Sequence, residues 1–211
     1  MAGSLDALLQ HPGIWLGDRN ARVALDSIPT GFPLLDAQLP GGGWPMGALT
    51  EILSSQAGVG ELRLVLPALA RLSTEDRWLA WIAPPYVPYA PALAANGINL
   101  SRVLVVRPAS SRDAFWAAEQ ALRAGCCGAV LFWPQDADER KLRRLQLSAE
   151  AGGACGLIYR PARMATAASP AALRLSIEPE KNRLHIRILK RRGGGSRAPL
   201  SLDLAAYSNL Q

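Results

Sequence analysis

Residues Ser55-Gln56-Ala57-Gly58-Val59-Gly60-Glu61-Leu62 come nearest to a chemical site in this chain. They match in length the loop G-x-x-x-x-G-K-[ST]. In that loop backbone N–H groups cradle phosphates, the Lys neutralises charge and the hydroxyl holds Mg²⁺. Here Ser55 stands at the first Gly position and Gly60 at the second, with Glu61 at the Lys position and Leu62 at the hydroxyl position. A carboxylate facing a triphosphate in a low-dielectric cleft is repelled by several kcal/mol. The stretch therefore reads as a connection from strand to helix that binds no nucleotide.

No other residues assemble into a site. The histidines, His11 and His185, are far apart in sequence and have no carboxylate or cysteine at ligand spacing. The cysteines, Cys126, Cys127 and Cys155, make neither a disulfide framework nor a zinc site. The adjacent pair opens an apolar run, where cysteine is usually a small core residue. Ser54-Ser55 lies in no nucleophile-elbow context. No catalysis, cofactor or metal is expected.

The elements that would position these residues alternate strand and helix. ALTEIL (48–53) leads into the loop just described, and Leu62–Leu72 follows as a helix that Pro67 should kink or break. RWLAWIA (77–83), RVLVVR (102–107), GAVLFW (128–133) and GLIYR (156–160) read as strands. VPYAPALAANG (87–97) reads as a short helix, Ser110 with Asp113 as a capping box for a helix to Gly125, and Asp138 as the cap of a basic helix to Ala151. Such alternation predicts an α/β fold with a mostly parallel sheet. LRLSIEP (173–179) and NRLHIRILK (182–190) alternate apolar with polar residues. They form an antiparallel hairpin, with PLSLDL (199–204) as its next partner.

A chain of 211 residues, 49% of them apolar, supports one domain with a large core. No secretory signal or membrane span is legible, and the cysteine usage is that of a cytoplasmic protein. The net charge of +6 points to an acidic partner, nucleic acid or protein. Two basic tracts are candidate surfaces. One is the helix carrying Arg140, Lys141, Arg143 and Arg144, with Leu142, Leu145 and Leu147 available for the core. The other is the C-terminal run Arg183, His185, Arg187, Lys190, Arg191, Arg192 and Arg197 around Gly193-Gly194-Gly195. The first reads more readily as a solvated helix face; the second reads as a surface for DNA phosphates or an acidic partner. Near the N-terminus, Leu5, Leu8, Leu9 and Trp15 sit on a short apolar segment that either docks on a second copy or folds back on its own domain.

IPTGFPLLDAQLPGGGWPMGALTEIL (28–53) resembles the segment before the nucleotide loop of the RecA recombinase family. That resemblance implies a RecA-like three-layer core with a mostly parallel central sheet and a C-terminal antiparallel extension. The core would span 28–204, preceded by a helix and linker (1–27) and followed by a tail (205–211). It further implies a pseudo-ATPase: Pro85 stands where such proteins place a water-activating Glu, and Trp133-Pro134 where they place an Mg²⁺-supporting Asp. The loops that grip DNA are trimmed, the second keeping only Arg160 and Arg163. LLQHPGIWLGD with LPGGGWPMGALTEIL resembles the ImuA proteins more closely, and the SulA-like division inhibitors are related. ImuA membership implies a damage-induced scaffold of mutagenic translesion synthesis, binding the polymerase-like ImuB, with RecA as a further candidate partner and weak DNA contact as another. The alternative is a SulA-like inhibitor that caps the tubulin-like division protein. The intact Gly-rich segment weighs toward the first.

Overall fold

The structure is a computed structural model; it describes residues 26–181, 183–194 and 198–204. The N-terminal segment with Leu5, Leu8, Leu9 and Trp15, the basic residue Arg197 and the tail from 205 lie outside the described residues.

A minor sheet pairs β1 (Ser27–Ile28) with β2 (Trp44–Pro45), antiparallel. Between them lie α1 (Pro33–Asp36) and a 3₁₀ turn at Pro40–Gly42. The main sheet holds β3 (Ala48–Ser54), β4 (Trp78–Ile82), β5 (Val103–Val106), β6 (Cys127–Phe132), β7 (Cys155–Pro161), β8 (Leu173–Glu180), β9 (Arg183–Arg191) and β10 (Leu200–Asp203). Its order is β10-β9-β8-β3-β7-β6-β4-β5. Pairings from β8 across to β5 are parallel, whereas β8–β9 and β9–β10 are antiparallel. The interior strands β3, β6 and β7 are near-continuous apolar runs because both faces are covered.

The helices are α2 (Leu66–Thr74), α3 (Ala90–Ala95), α4 (Ser111–Arg123) and α5 (Glu139–Gly152). Ser110 caps α4, its hydroxyl accepting from the Asp113 N–H at 3.1 Å. Asp138 caps α5, accepting from the Lys141 N–H at 2.7 Å. Each such cap contributes about 1 kcal/mol. Gly153, at φ 69°, ends α5 in the left-handed conformation that glycine adopts without strain. On one face α4 and α5 bury Ala118, Leu122, Leu142 and Leu145 against Val130, Phe132 and Ile158. The other face packs Leu35, Leu69 and Leu72 against Leu79, Leu131 and Leu175.

Three expectations are corrected. Residues 62–65 are turns, and the helix begins only at Leu66, with Pro67 in its first turn. There the missing N–H costs nothing, so proline starts this helix instead of breaking it. Leu147 is 54% exposed and no part of the core. The RecA-like three-layer core is not what the chain builds: the sheet is mixed and the helices are few. One face carries two long helices, while the helices of the other are nine, six and four residues long. Much of the sequence between β3 and β4 and between β4 and β5 is turn, and in the second of these connections Pro84, Pro85 and Pro88 withhold the donors a helical layer needs.

Among the described residues, no helix is long and apolar enough to cross a membrane.

Candidate functional site

The loop after β3 turns back on itself. Gly58 and Gly60 both have positive φ, 83° and 104°, and a side chain at Gly60 would meet Leu204 at 2.9 Å. This brings the Glu61 carboxylate under the loop, where Oε1 accepts the Gly58 N–H at 2.7 Å. Glu61 is 5% exposed. The Gly58 amide is thus held by the chain's own carboxylate, and Leu62 packs against the core. Ser55 is exposed on the rim.

Beneath this loop lies an aromatic stack. Trp81 of β4 stands 5.9 Å from Trp133, and Trp133 stacks on Tyr159 of β7 at 4.5 Å with the planes 8° apart. Trp133 thus has a structural role at the end of β6. Burial, then the charge of Glu61, then Cys155, hold the Tyr159 hydroxyl well above its usual pKa. Pro85 lies in the turn after β4, where it can accept or donate no proton.

Among the described residues, several side chains of the C-terminal basic tract are engaged by the protein's own groups. Arg183 and Arg187 are exposed on β9, but Arg183 faces Glu180 on β8 and Asp203 on β10. His185 is half-buried beside the Ser201 hydroxyl, at 3.4 Å. Lys190 donates to the Ser169 carbonyl at 2.7 Å, and burial, with Arg174 nearby, lowers its pKa. Arg191 donates to the Gln38 carbonyl at 2.7 Å and the Gly194 carbonyl at 2.8 Å, tying the hairpin to the start of the domain. Arg192 reaches Glu150 at 3.9 Å. On α5, Arg144 pairs with Glu119 of α4 at 2.5 Å, while Arg140 is exposed.

Two features escaped the sequence reading. The first is a buried ionic network. Glu51, fully buried in the middle of β3, accepts from Arg160 at 3.0 Å, Arg174 at 2.8 Å and the Ser169 hydroxyl at 2.8 Å. Arg160 also donates to the Ala137 carbonyl at 2.6 Å, and Arg174 to the carbonyls of Met164, Ala165 and Ala167 at 2.8–3.2 Å. Arg160, expected on a DNA-gripping loop, is instead a core counter-ion. The legible signal was a lone Glu in the apolar run ALTEIL: a charge in a covered strand must be paired. The second is an exposed apolar region. Among the described residues, seven of the nine large exposed hydrophobic side chains fall between Tyr86 and Trp116: Tyr86, Val87, Tyr89, Leu100, Leu104, Val105 and Trp116. Leu104 and Val105 point to opposite sides of β5 and are 48% and 40% exposed, so this edge strand is uncovered on both faces.

Comparison with known proteins places these features. Residues 47–156 match the family "Cell division inhibitor SulA". The chain is 40% identical over 116 residues to the cell division inhibitor SulA of Edwardsiella piscicida, covering 53% of this chain and 68% of that protein. The corresponding protein of Serratia proteamaculans is 32% identical over 117 residues, covering 56% and 70%. Among solved structures, SulA from Pseudomonas aeruginosa is 30% identical, covers 53% of this chain and 97% of that one, and has a TM-score of 0.45.

The family match and these two relatives correct the ImuA reading, and with it the translesion-synthesis role and the partners ImuB and RecA. Of the two stretches that carried it, LLQHPGIWLGD lies wholly outside residues 47–156, and LPGGGWPMGALTEIL overlaps them only in its last seven residues. The matched region carries the SulA alternative. It includes the whole of the exposed apolar region and excludes the C-terminal basic tract together with the β8–β9 hairpin that carries it.

Proposed function

The chain belongs to the SulA family, and from that premise we propose that it is a non-catalytic inhibitor of cell division, acting in the cytoplasm during the DNA-damage response. It binds the tubulin-like division protein and blocks its polymerisation. The observation that carries this reading is the exposed apolar region from Tyr86 to Trp116, which lies entirely inside the span shared with SulA proteins. Exposed aromatic and aliphatic side chains gathered in one stretch are how a protein partner is met, and Tyr and Trp contribute most to such contacts. The uncovered edge of β5 offers unpaired backbone groups beside them.

Catalysis has no part in the proposal. Glu61 and Leu62 stand where nucleotide chemistry needs Lys and a hydroxyl, and Pro85 and Trp133 offer neither base nor metal ligand. An inhibitor of polymerisation needs only a surface that competes with the next subunit.

The test is sedimentation of the division protein with GTP in the presence of increasing amounts of this chain. Polymer mass should fall as the two approach equal concentration. Undiminished polymer at a large molar excess of the folded chain would refute the reading.

A further inference from the structure

The loop 58–63 also forms one wall of an open cleft of about 620 Å³, whose other walls include Lys181 and Arg183 of the β8–β9 hairpin and Leu204. Three cations line it: Arg63, Lys181 and Arg183. Arg63 donates to the Leu204 carbonyl at 3.0 Å. Glu61 is part of the same lining, buried and bound through Oε1 to the Gly58 N–H at 2.7 Å. Its second oxygen, Oε2, has no hydrogen-bond partner among the described protein groups, and neither has the Tyr159 hydroxyl. A buried carboxylate that satisfies only one oxygen costs free energy, so its place in a cleft lined by three cations calls for a compensating role.

We propose that this cleft is an anion site occupied by the chain's own Glu61, whose carboxylate stands where a phosphate or carboxylate from solution would otherwise bind. The geometry is that of an intramolecular ligand. A backbone N–H at a glycine turn is donated to the carboxylate, and cationic side chains from the loop and the hairpin line the same cleft. Oligoanions are refused because the site is filled and because like charges repel within it. The carboxylate also holds the turn in shape, so the loop keeps a single conformation with no ligand. This inference stands on the loop and hairpin alone and is independent of the division-protein reading.

The test is calorimetric titration of inorganic pyrophosphate into the wild-type chain, Glu61→Ala and Glu61→Gln, with the Gly58 amide followed by hydrogen exchange. Wild type should show no saturable binding below the millimolar range. Glu61→Ala should bind at least tenfold more tightly than wild type, and adding Lys181→Ala and Arg183→Ala to that variant should abolish the gain. Gly58 exchange should accelerate in the Ala variant and rise little in Glu61→Gln, which keeps an acceptor oxygen. Pyrophosphate binding to wild type as tight as to Glu61→Ala overturns the proposal. So does a folded Glu61→Ala that binds no better than wild type. Should the Ala variant fail to fold, Glu61→Gln carries the test: loss of charge alone should tighten binding at least threefold, and no change overturns the proposal.

Discussion

Replacing Glu51 by Gln removes the negative charge that pairs with the guanidinium groups of both Arg160 and Arg174, and the cost can be worked from the contacts. Glu51 is fully buried, and the side chains of Arg160 and Arg174 are 4% and 7% exposed, so little water screens them. At 3 Å and an effective dielectric near 20, each attraction is worth about 5 kcal/mol before desolvation is charged against it. The amide keeps one acceptor oxygen. It can therefore serve Arg160 and Ser169, or Arg174, but it turns an NH₂ donor toward whichever is left. The backbone carbonyls already bound by both arginines soften the loss without supplying a counter-charge. Breaking a buried pair by removing one partner typically costs about 3–5 kcal/mol, and that is the expected loss. For a chain of this size it lowers the unfolding midpoint by roughly 6–20 °C. Urea and thermal unfolding followed by circular dichroism measure it. Arg174→Met should also destabilise, but by freeing the carbonyls of 164, 165 and 167, so faster hydrogen exchange should concentrate in residues 161–172. A loss under about 1 kcal/mol in Glu51→Gln would show that the arginines are sustained without the carboxylate and that the argument is wrong.

Leu104→Glu, and separately Tyr86→Ser with Tyr89→Ser, should relieve inhibition of the division protein while changing urea stability by no more than about 0.5 kcal/mol, since these side chains already face solvent; retained inhibition in both variants would move the contact elsewhere. Burial pushes the Cys155 thiol from 9.0 up to about 12, and burial followed by Cys126 pushes Cys127 to about 11. Both folded values are raised, so this stability is complete below pH 9 and is lost as pH rises from there toward 11–12; at pH 10 Cys155 alone should cost about 1.4 kcal/mol, and Cys155→Ala should flatten the decline. Arg191→Ala should cost about 1–2 kcal/mol in urea unfolding, because it abandons the Gln38 carbonyl, whereas Arg187→Ala should stay within about 0.5 kcal/mol.

Local signals in the chain were legible where short-range chemistry decides. Ser110 and Asp138 announced their helices because a cap needs only its own turn. The alternation in 173–190 announced the hairpin because a half-covered strand must alternate. What depended on distant neighbours was not legible. VLVV reads identically as a central or an edge strand, and only the order of the sheet leaves Leu104 and Val105 bare. The basic C-terminal run looked like one surface because sequence shows like charges in a row. It does not show that Arg191 crosses to Gln38, Arg192 to Glu150 and Lys190 to Ser169. Arg160 was placed on a loop because its partner Glu51 lies 109 residues away. The family was misjudged for a related reason: the most conspicuous stretch, the Gly-rich approach to β3, lies largely outside the region shared with relatives.

The place of β3 at the middle of the sheet has a consequence for synthesis. Its two neighbours are β7 and β8, and the first paired position, Ala48 with Cys155, joins residues about a hundred apart. At roughly 5–20 residues per second, a ribosome needs on the order of 5–20 seconds after making β3 before either neighbour exists. Throughout that interval ALTEILS is an apolar strand with both edges open and a charge at Glu51 that has nothing to neutralise it. The unpaired Glu51 then works against premature pairing, since any wrong strand that covers it must desolvate a carboxylate. Only the arrival of Arg160 and Arg174, the latter with β8 itself, makes burial of β3 favourable.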